Sequence, residues 1–133
     1  MAMKKLLLVV EDEDLMRKIL AERFVKENFE VIQADNGEAG LEEALTHKPD
    51  FILLDIIMPK LDGMVVMEEI RKAGEWGQKV PIAVLTNLTV DDQTLQKIEA
   101  SKPSCHMIKT DWSLDQIVVK INKMLSDLAE DKK

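Results

Sequence analysis

The chain has one cysteine, no tyrosine, and no unbroken apolar run longer than Leu6–Val10. A lone Cys105 forms no internal disulfide, which fits a reducing cytoplasm. His106 stands beside it, but one Cys and one His make a poor metal site. Cys105 reads instead as a small buried strand residue. The apolar run is far too short to span a bilayer. It also runs straight into Glu11-Asp12-Glu13-Asp14, which argues against an export signal. Basic residues are outnumbered 18 to 25, for a net charge of −7. That excess argues against direct nucleic-acid binding and leaves no basic patch for a membrane surface.

The 133 residues are 46% hydrophobic and 32% charged, which describes one globular domain with a real core. Two hydrophobic periods alternate along it. Leu6–Val10 is continuous, apolar and short, as a buried strand should be. Leu15, Met16, Ile19, Leu20, Phe24 and Val25 then recur at helical spacing, with acidic residues at the positive end of the helix dipole. Phe29–Ala34 reads as a strand and Asn36-Gly37 as a turn. Ala39, Leu41, Ala44 and Leu45 mark a second helix, which Pro49 ends.

Phe51–Leu54 is a third strand, and Asp62-Gly63 opens a third helix bearing Met64, Val65, Met67 and Ile70. Ala73–Lys79, with two glycines, reads as a loop. Val80–Leu85 is a fourth strand, and Thr89 is placed to cap a fourth helix with Leu95 and Ile98. Ser104–Ile108 is a weaker fifth strand. Ser113 and Gln116 suit a capping box for a last helix with Ile117, Val118, Ile121 and Leu125. The tail from Ala129 is expected to fray. Five strands alternating with five helices imply an α/β fold, a doubly wound parallel sheet covered on both faces.

In such sheets, ligands sit beyond the carboxyl ends of the strands. Here those ends carry Glu11 and Asp12, then Asp55, then Thr86 and Asn87, then Lys109. If strands one and three are neighbours, three carboxylates converge, and they repel one another unless a cation joins them. Oxygen ligands with room for water describe Mg²⁺. Lys109 adds a positive charge and Thr86 a hydroxyl, which suits a phosphoryl group formed on Asp55 as nucleophile. Each residue also has a duller role. The acids suit a helix start, Asp55 suits a turn, Thr86 an ordinary strand position and Lys109 a solvated surface. Taken together, the four strand ends favour the phosphoryl site.

LLLVVEDED, ADNGEAGLEEAL, PDFILLDIIMPKLDG, VPIAVLTN and the lysine of MIKTD occur in the order and spacing of a known family. Over residues 4–128, the chain resembles the receiver domains of two-component response regulators, the CheY-like family. The resemblance implies a flavodoxin-like sheet of order 2-1-3-4-5. It also implies that residues 1–133 form a single receiver domain with no output domain visible. Asp55 would be the phosphoacceptor. Glu11, Asp12, Asp55 and the backbone carbonyl of Ile57 would bind Mg²⁺, with Mn²⁺ as an alternative ion. Thr86 would be the switch hydroxyl, and Lys109 would contact the phosphoryl group.

The donor would be a phosphohistidine on a sensor histidine kinase or phosphotransfer protein. The output would be a downstream protein target or a missing output domain. A dimer would form through the face of helix four (from Thr89), strand five and helix five. The chain would catalyse only its own phosphorylation and dephosphorylation.

Several positions depart from the family pattern. Thr110 follows Lys109 where a cis proline is usual, and a cis bond before a non-proline residue costs roughly 3 kcal/mol. His106 replaces the usual aromatic partner of the switch threonine, on the output face, and Lys102-Pro103 replaces Gly-Ala. Ile57 and Leu88, at positions that flank the line of water attack in the family, are both apolar, which implies slow self-dephosphorylation. The alternative is a degenerate receiver acting as a phosphorylation-independent binding module. An aspartate-dependent phosphatase would need a second acid where Ile57 stands.

Overall fold

The computed structural model describes residues 4–56, 62–86, 103–109 and 111–131, together with Gln93, Gln96 and Ala100. Five parallel strands form one sheet: β1 (Lys5–Val10), β2 (Phe29–Ala34), β3 (Phe51–Asp55), β4 (Ile82–Thr86) and β5 (Cys105–Ile108), in the order β2-β1-β3-β4-β5. The expected doubly wound α/β architecture is therefore observed. The helices are α1 (Asp14–Lys26), α2 (Gly37–His47), α3 (Gly63–Arg71), α4 (Gly74–Lys79) and α5 (Leu114–Asp131). Gln93, Gln96 and Ala100 are also helical, where the helix from Thr89 was expected; Thr89 itself lies outside the described residues.

The unbroken apolar strands are explained by two cores, one on each face. Leu8, Val10, Ile52, Leu54, Ile82 and Val84 pack with Met67 and Ile70 of α3. The alternate residues, Leu7, Val9, Phe51, Leu53, Ala83 and Leu85, pack with Leu20 and Phe24 of α1 and with Ile117 and Ile121 of α5. Successive strand side chains point to opposite faces, so a strand covered on both sides is apolar at every position. Among the described residues, no helix is long and apolar enough to cross a membrane.

Four local expectations need correction. Asn36 is not a turn residue: its side chain accepts from the Ala39 backbone N–H at 2.8 Å and caps α2. Residues 74–79 are the short helix α4, pinned by tertiary contacts. Trp76 Nε1 donates to Pro49 O at 2.9 Å, and Arg71 Nη1 donates to Gly77 O at 3.0 Å and Val80 O at 2.7 Å. Cys105 lies on β5 but is only half-buried. The last helix continues through the first residues of the tail expected to fray, to Asp131. The Ser113–Gln116 capping box is present, with reciprocal bonds of 2.8 and 3.1 Å.

Candidate functional site

The ends of β1 and β3 meet because those strands are hydrogen-bonded neighbours, with Val10 opposite Leu54. The next residues along the chains are Glu11 and Asp55. Both are buried, at 0% and 2% exposure, whereas Asp12 is exposed. One carboxylate oxygen from each of Glu11, Asp12 and Asp55 lies within 4.8 Å of the others. The carboxylate that ends the apolar strand β3 is therefore buried beside two other acids.

Lys109 follows β5 and reaches back into the cluster. Its Nζ stands 2.6 Å from Glu11 Oε1 and 3.2 Å from Asp55 Oδ2. Its own N–H donates to Thr86 O at 2.8 Å, which ties the end of β5 to the end of β4. Glu11 Oε2 accepts from the Glu13 backbone N–H at 3.2 Å. Oε1 is buried with no hydrogen bond of acceptable geometry, and the lysine meets it as a close ion contact. Thr86 is buried at the end of β4, and its Oγ1 lies 2.8 Å from Nε2 of His106 on β5.

These placements bring together Glu11, Asp12, Asp55 and Lys109, with the Thr86–His106 pair on the adjoining strands. Ile57, Asn87, Leu88, Lys102 and Thr110 lie outside the described residues. Trp112 is half-buried against the core beside α1 and α5.

Two further residues support the site: Arg17, which carries no clear sequence signal, and Gly63, which the sequence already places with Asp62 at the start of the third helix. Arg17 on α1 donates from Nη1 to Glu11 O at 3.1 Å and from Nη2 to Asp14 Oδ1 at 2.7 Å, so it fixes the backbone of the acidic turn. Only its place one helical turn after Asp14 hints at this. Gly63 donates its N–H to Ile56 O at 2.9 Å, and Asp62 caps α3 by accepting from Met64 N–H at 2.7 Å. A Cβ on Gly63 would stand 2.6 Å from Asp55 O and 2.7 Å from Ile56 Cα, so only glycine lets α3 start this close to the end of β3.

The electrostatics follow from crowding two buried acids around one lysine. Burial, then the hydrogen bond and charge of Glu11, push Asp55 up from 3.8 to about 8, against the pull of Lys109. Burial would raise Glu11 as well, but the bond with Asp55 and the Lys109 ammonium hold it below its usual value. Burial would lower Lys109; Glu11 and Asp55 outweigh it and raise the lysine, which stays charged. Three acids with a net negative charge and oxygen donors only are the donor set that a hard divalent cation such as Mg²⁺ takes.

A pH dependence follows. In the metal-free protein, the folded state holds a proton on Asp55 that the unfolded state releases near its ordinary value of 3.8. Folding then binds a proton across this window, so the contribution of Asp55 to stability falls as pH rises from about 4 toward 8. A divalent cation must displace that proton. Mg²⁺ affinity is therefore expected to rise by up to about tenfold per pH unit between about pH 6 and pH 8. Thermal melts with and without Mg²⁺ across that range check this, and Asp55→Asn should flatten the trend.

Comparisons with known proteins identify the family of the chain. Residues 7–121 match the family model described as the response regulator receiver domain. The alkaline phosphatase synthesis transcriptional regulatory protein PhoP of Bacillus subtilis is 38% identical over 72% of this chain and 38% of its own length. The chemotaxis protein CheY of the same organism is 28% identical over 90% of this chain and 97% of its own. The BeF3-activated N-terminal receiver domain of Klebsiella pneumoniae RstA superposes with a TM-score of 0.77 at 28% identity, covering 90% of this chain and 97% of that one. The chain spans well under half the length of the transcriptional regulators it matches.

Proposed function

This chain belongs to the response regulator receiver domain family, and from that premise we propose that it is a switch operated by phosphorylation of Asp55. Receiver domains are regulatory proteins, not metabolic enzymes. The observation that carries the proposal is the buried Asp55 carboxylate, flanked by two further acids and with the Lys109 ammonium 3.2 Å away. A module that only binds a partner has no use for this arrangement. Burying like charges beside one another costs free energy that a binding surface does not need to spend.

The donor in this proposal is a phosphohistidine on a sensor histidine kinase or a phosphotransfer protein. An oxygen of Asp55 forms the new P–O bond as the donor P–N bond breaks, and the electron pair returns to the donor imidazole. In this reading Lys109 neutralises charge on the phosphoryl oxygens, and the Thr86 hydroxyl would donate to one of them. Glu11, Asp12 and Asp55, with the Ile57 carbonyl, would hold Mg²⁺ or Mn²⁺. When bound, the ion supplies the positive charge that lets a carboxylate meet a phosphoryl group.

The output in this proposal is a downstream protein or a further domain reached through the β5–α5 face, where a dimer would also form. PhoP is named a transcriptional regulatory protein and CheY a chemotaxis protein, so relatives of this chain serve different outputs. We place the protein in the cytoplasm, where phosphohistidine donors of this kind work.

Ile57 and Leu88 offer no polar group to orient water, so the phosphorylated state should be long-lived. The test is phosphorylation with Mg²⁺ and acetyl phosphate, removal of the donor, and decay followed by intact mass. Slow decay, accelerated several-fold by Ile57→Asn or Leu88→Glu, is expected. Rapid loss that neither substitution changes would refute it.

A further inference from the structure

The hydroxyl on which the switch depends is already engaged in the resting protein. Thr86 Oγ1 lies 2.8 Å from His106 Nε2, and Thr86 is 1% exposed. The strand register accounts for the contact. Val84 pairs with His106 and Thr86 with Ile108 in parallel β4 and β5, so these side chains share one face. On its other side, β4 pairs with β3, where Leu85 stands opposite Asp55 and its carbonyl accepts from Ile56 N–H at 3.2 Å. Thr86 thus ends a strand flanked by β5, which carries the histidine, and by β3, which ends at Asp55.

A threonine hydroxyl carries a single proton. In one imidazole tautomer, Nε2 accepts that proton; in the other, Nε2–H donates to Oγ1. In both, the bond fixes the position of the hydroxyl, and in the first it also occupies the proton. We propose that His106 is a positioning residue that latches Thr86 in the unphosphorylated state, so that a phosphoryl group on Asp55 must compete with the imidazole for the same hydroxyl. This rests on Asp55 being the phosphoacceptor. The bond stabilises the resting form and is loosened in the phosphorylated one. His106 thus sets how readily the switch is thrown, without touching the phosphoryl group.

The test uses beryllofluoride as the phosphoryl mimic, at saturating Mg²⁺, with half-saturation read from thermal melting. His106→Phe keeps an aromatic ring at a half-buried position and removes the polar partner. It is expected to lower the half-saturating concentration by about fivefold, the worth of one net hydrogen bond, while His106→Gln, whose amide can keep the bond, stays within about twofold of the wild type. In a Thr86→Val background, His106→Phe should have no further effect. A merely structural role for His106 predicts the same change with or without the threonine hydroxyl. An unchanged or weakened response in His106→Phe, or an equal shift in the Thr86→Val background, would overturn the latch alone. A wild-type protein that ignores beryllofluoride would overturn the Asp55 assignment and the latch with it.

Discussion

Lys109→Met is expected to slow phosphoryl uptake from acetyl phosphate by roughly 100-fold, the typical loss when one preorganised charge-stabilising donor is removed. Among the described residues the lysine is the cation in contact with the acids, 2.6 Å from Glu11 Oε1 and 3.2 Å from Asp55 Oδ2, with only 13% of its side chain exposed. Methionine fills similar space without the charge. The same substitution should destabilise the metal-free protein by about 3 kcal/mol, because it leaves the buried Glu11 carboxylate beside Asp55 without its counter-ion. Mg²⁺ should restore part of that loss, since a divalent cation replaces the missing charge among the same oxygens. Recovery of stability without recovery of rate separates the two roles of the lysine. A normal rate in Lys109→Met, measured by intact mass over time, would remove Lys109 from the phosphoryl site.

Gly63→Ala is expected to cost about 3 kcal/mol and roughly 10 °C in melting temperature, at the upper end for a single overpacked methyl. The added Cβ would meet backbone, not a flexible side chain: Asp55 O at 2.6 Å and Ile56 Cα at 2.7 Å. Relief requires α3 to move away from β3, which breaks the Gly63 N–H bond to Ile56 O and shifts the peptide that carries Asp55. Stability and phosphoryl uptake should therefore fall together. A melting temperature within a degree or two of the wild type would show that this close approach is not required.

Much of this was legible in the sequence because it depends on local pattern. Unbroken apolar strands at Leu6–Val10 and Phe51–Leu54 announce a sheet covered on both faces, and both faces are covered. Strand ends are where such a sheet exposes its chemistry, so Glu11, Asp12, Asp55, Thr86 and Lys109 could be named from position alone. What failed depends on distant partners. The helix at Gly74–Lys79 is six residues long and carries two glycines, so no periodicity reveals it. Trp76 and Arg71 hold it through contacts with Pro49, Gly77 and Val80.

Leu15 and Ile19 repeat at helical spacing, yet they are 67% and 41% exposed. They stand one turn apart on a row away from Leu20 and Phe24, the buried residues of α1. Spacing counts apolar residues, but it does not say which of two apolar rows meets the sheet. The resemblance sets His106 in the place of the usual aromatic partner of Thr86, but the hydrogen bond between them exists only once the β4–β5 register is fixed.

The most direct test of phosphorylation at Asp55 is intact mass after incubation with Mg²⁺ and acetyl phosphate, followed by peptide mapping. The expected result is the gain of one phosphoryl group, located on Asp55, abolished by Asp55→Asn and by a chelator. A protein that stays unmodified with Mg²⁺ present, or that takes up phosphate equally well as Asp55→Asn, would contradict it.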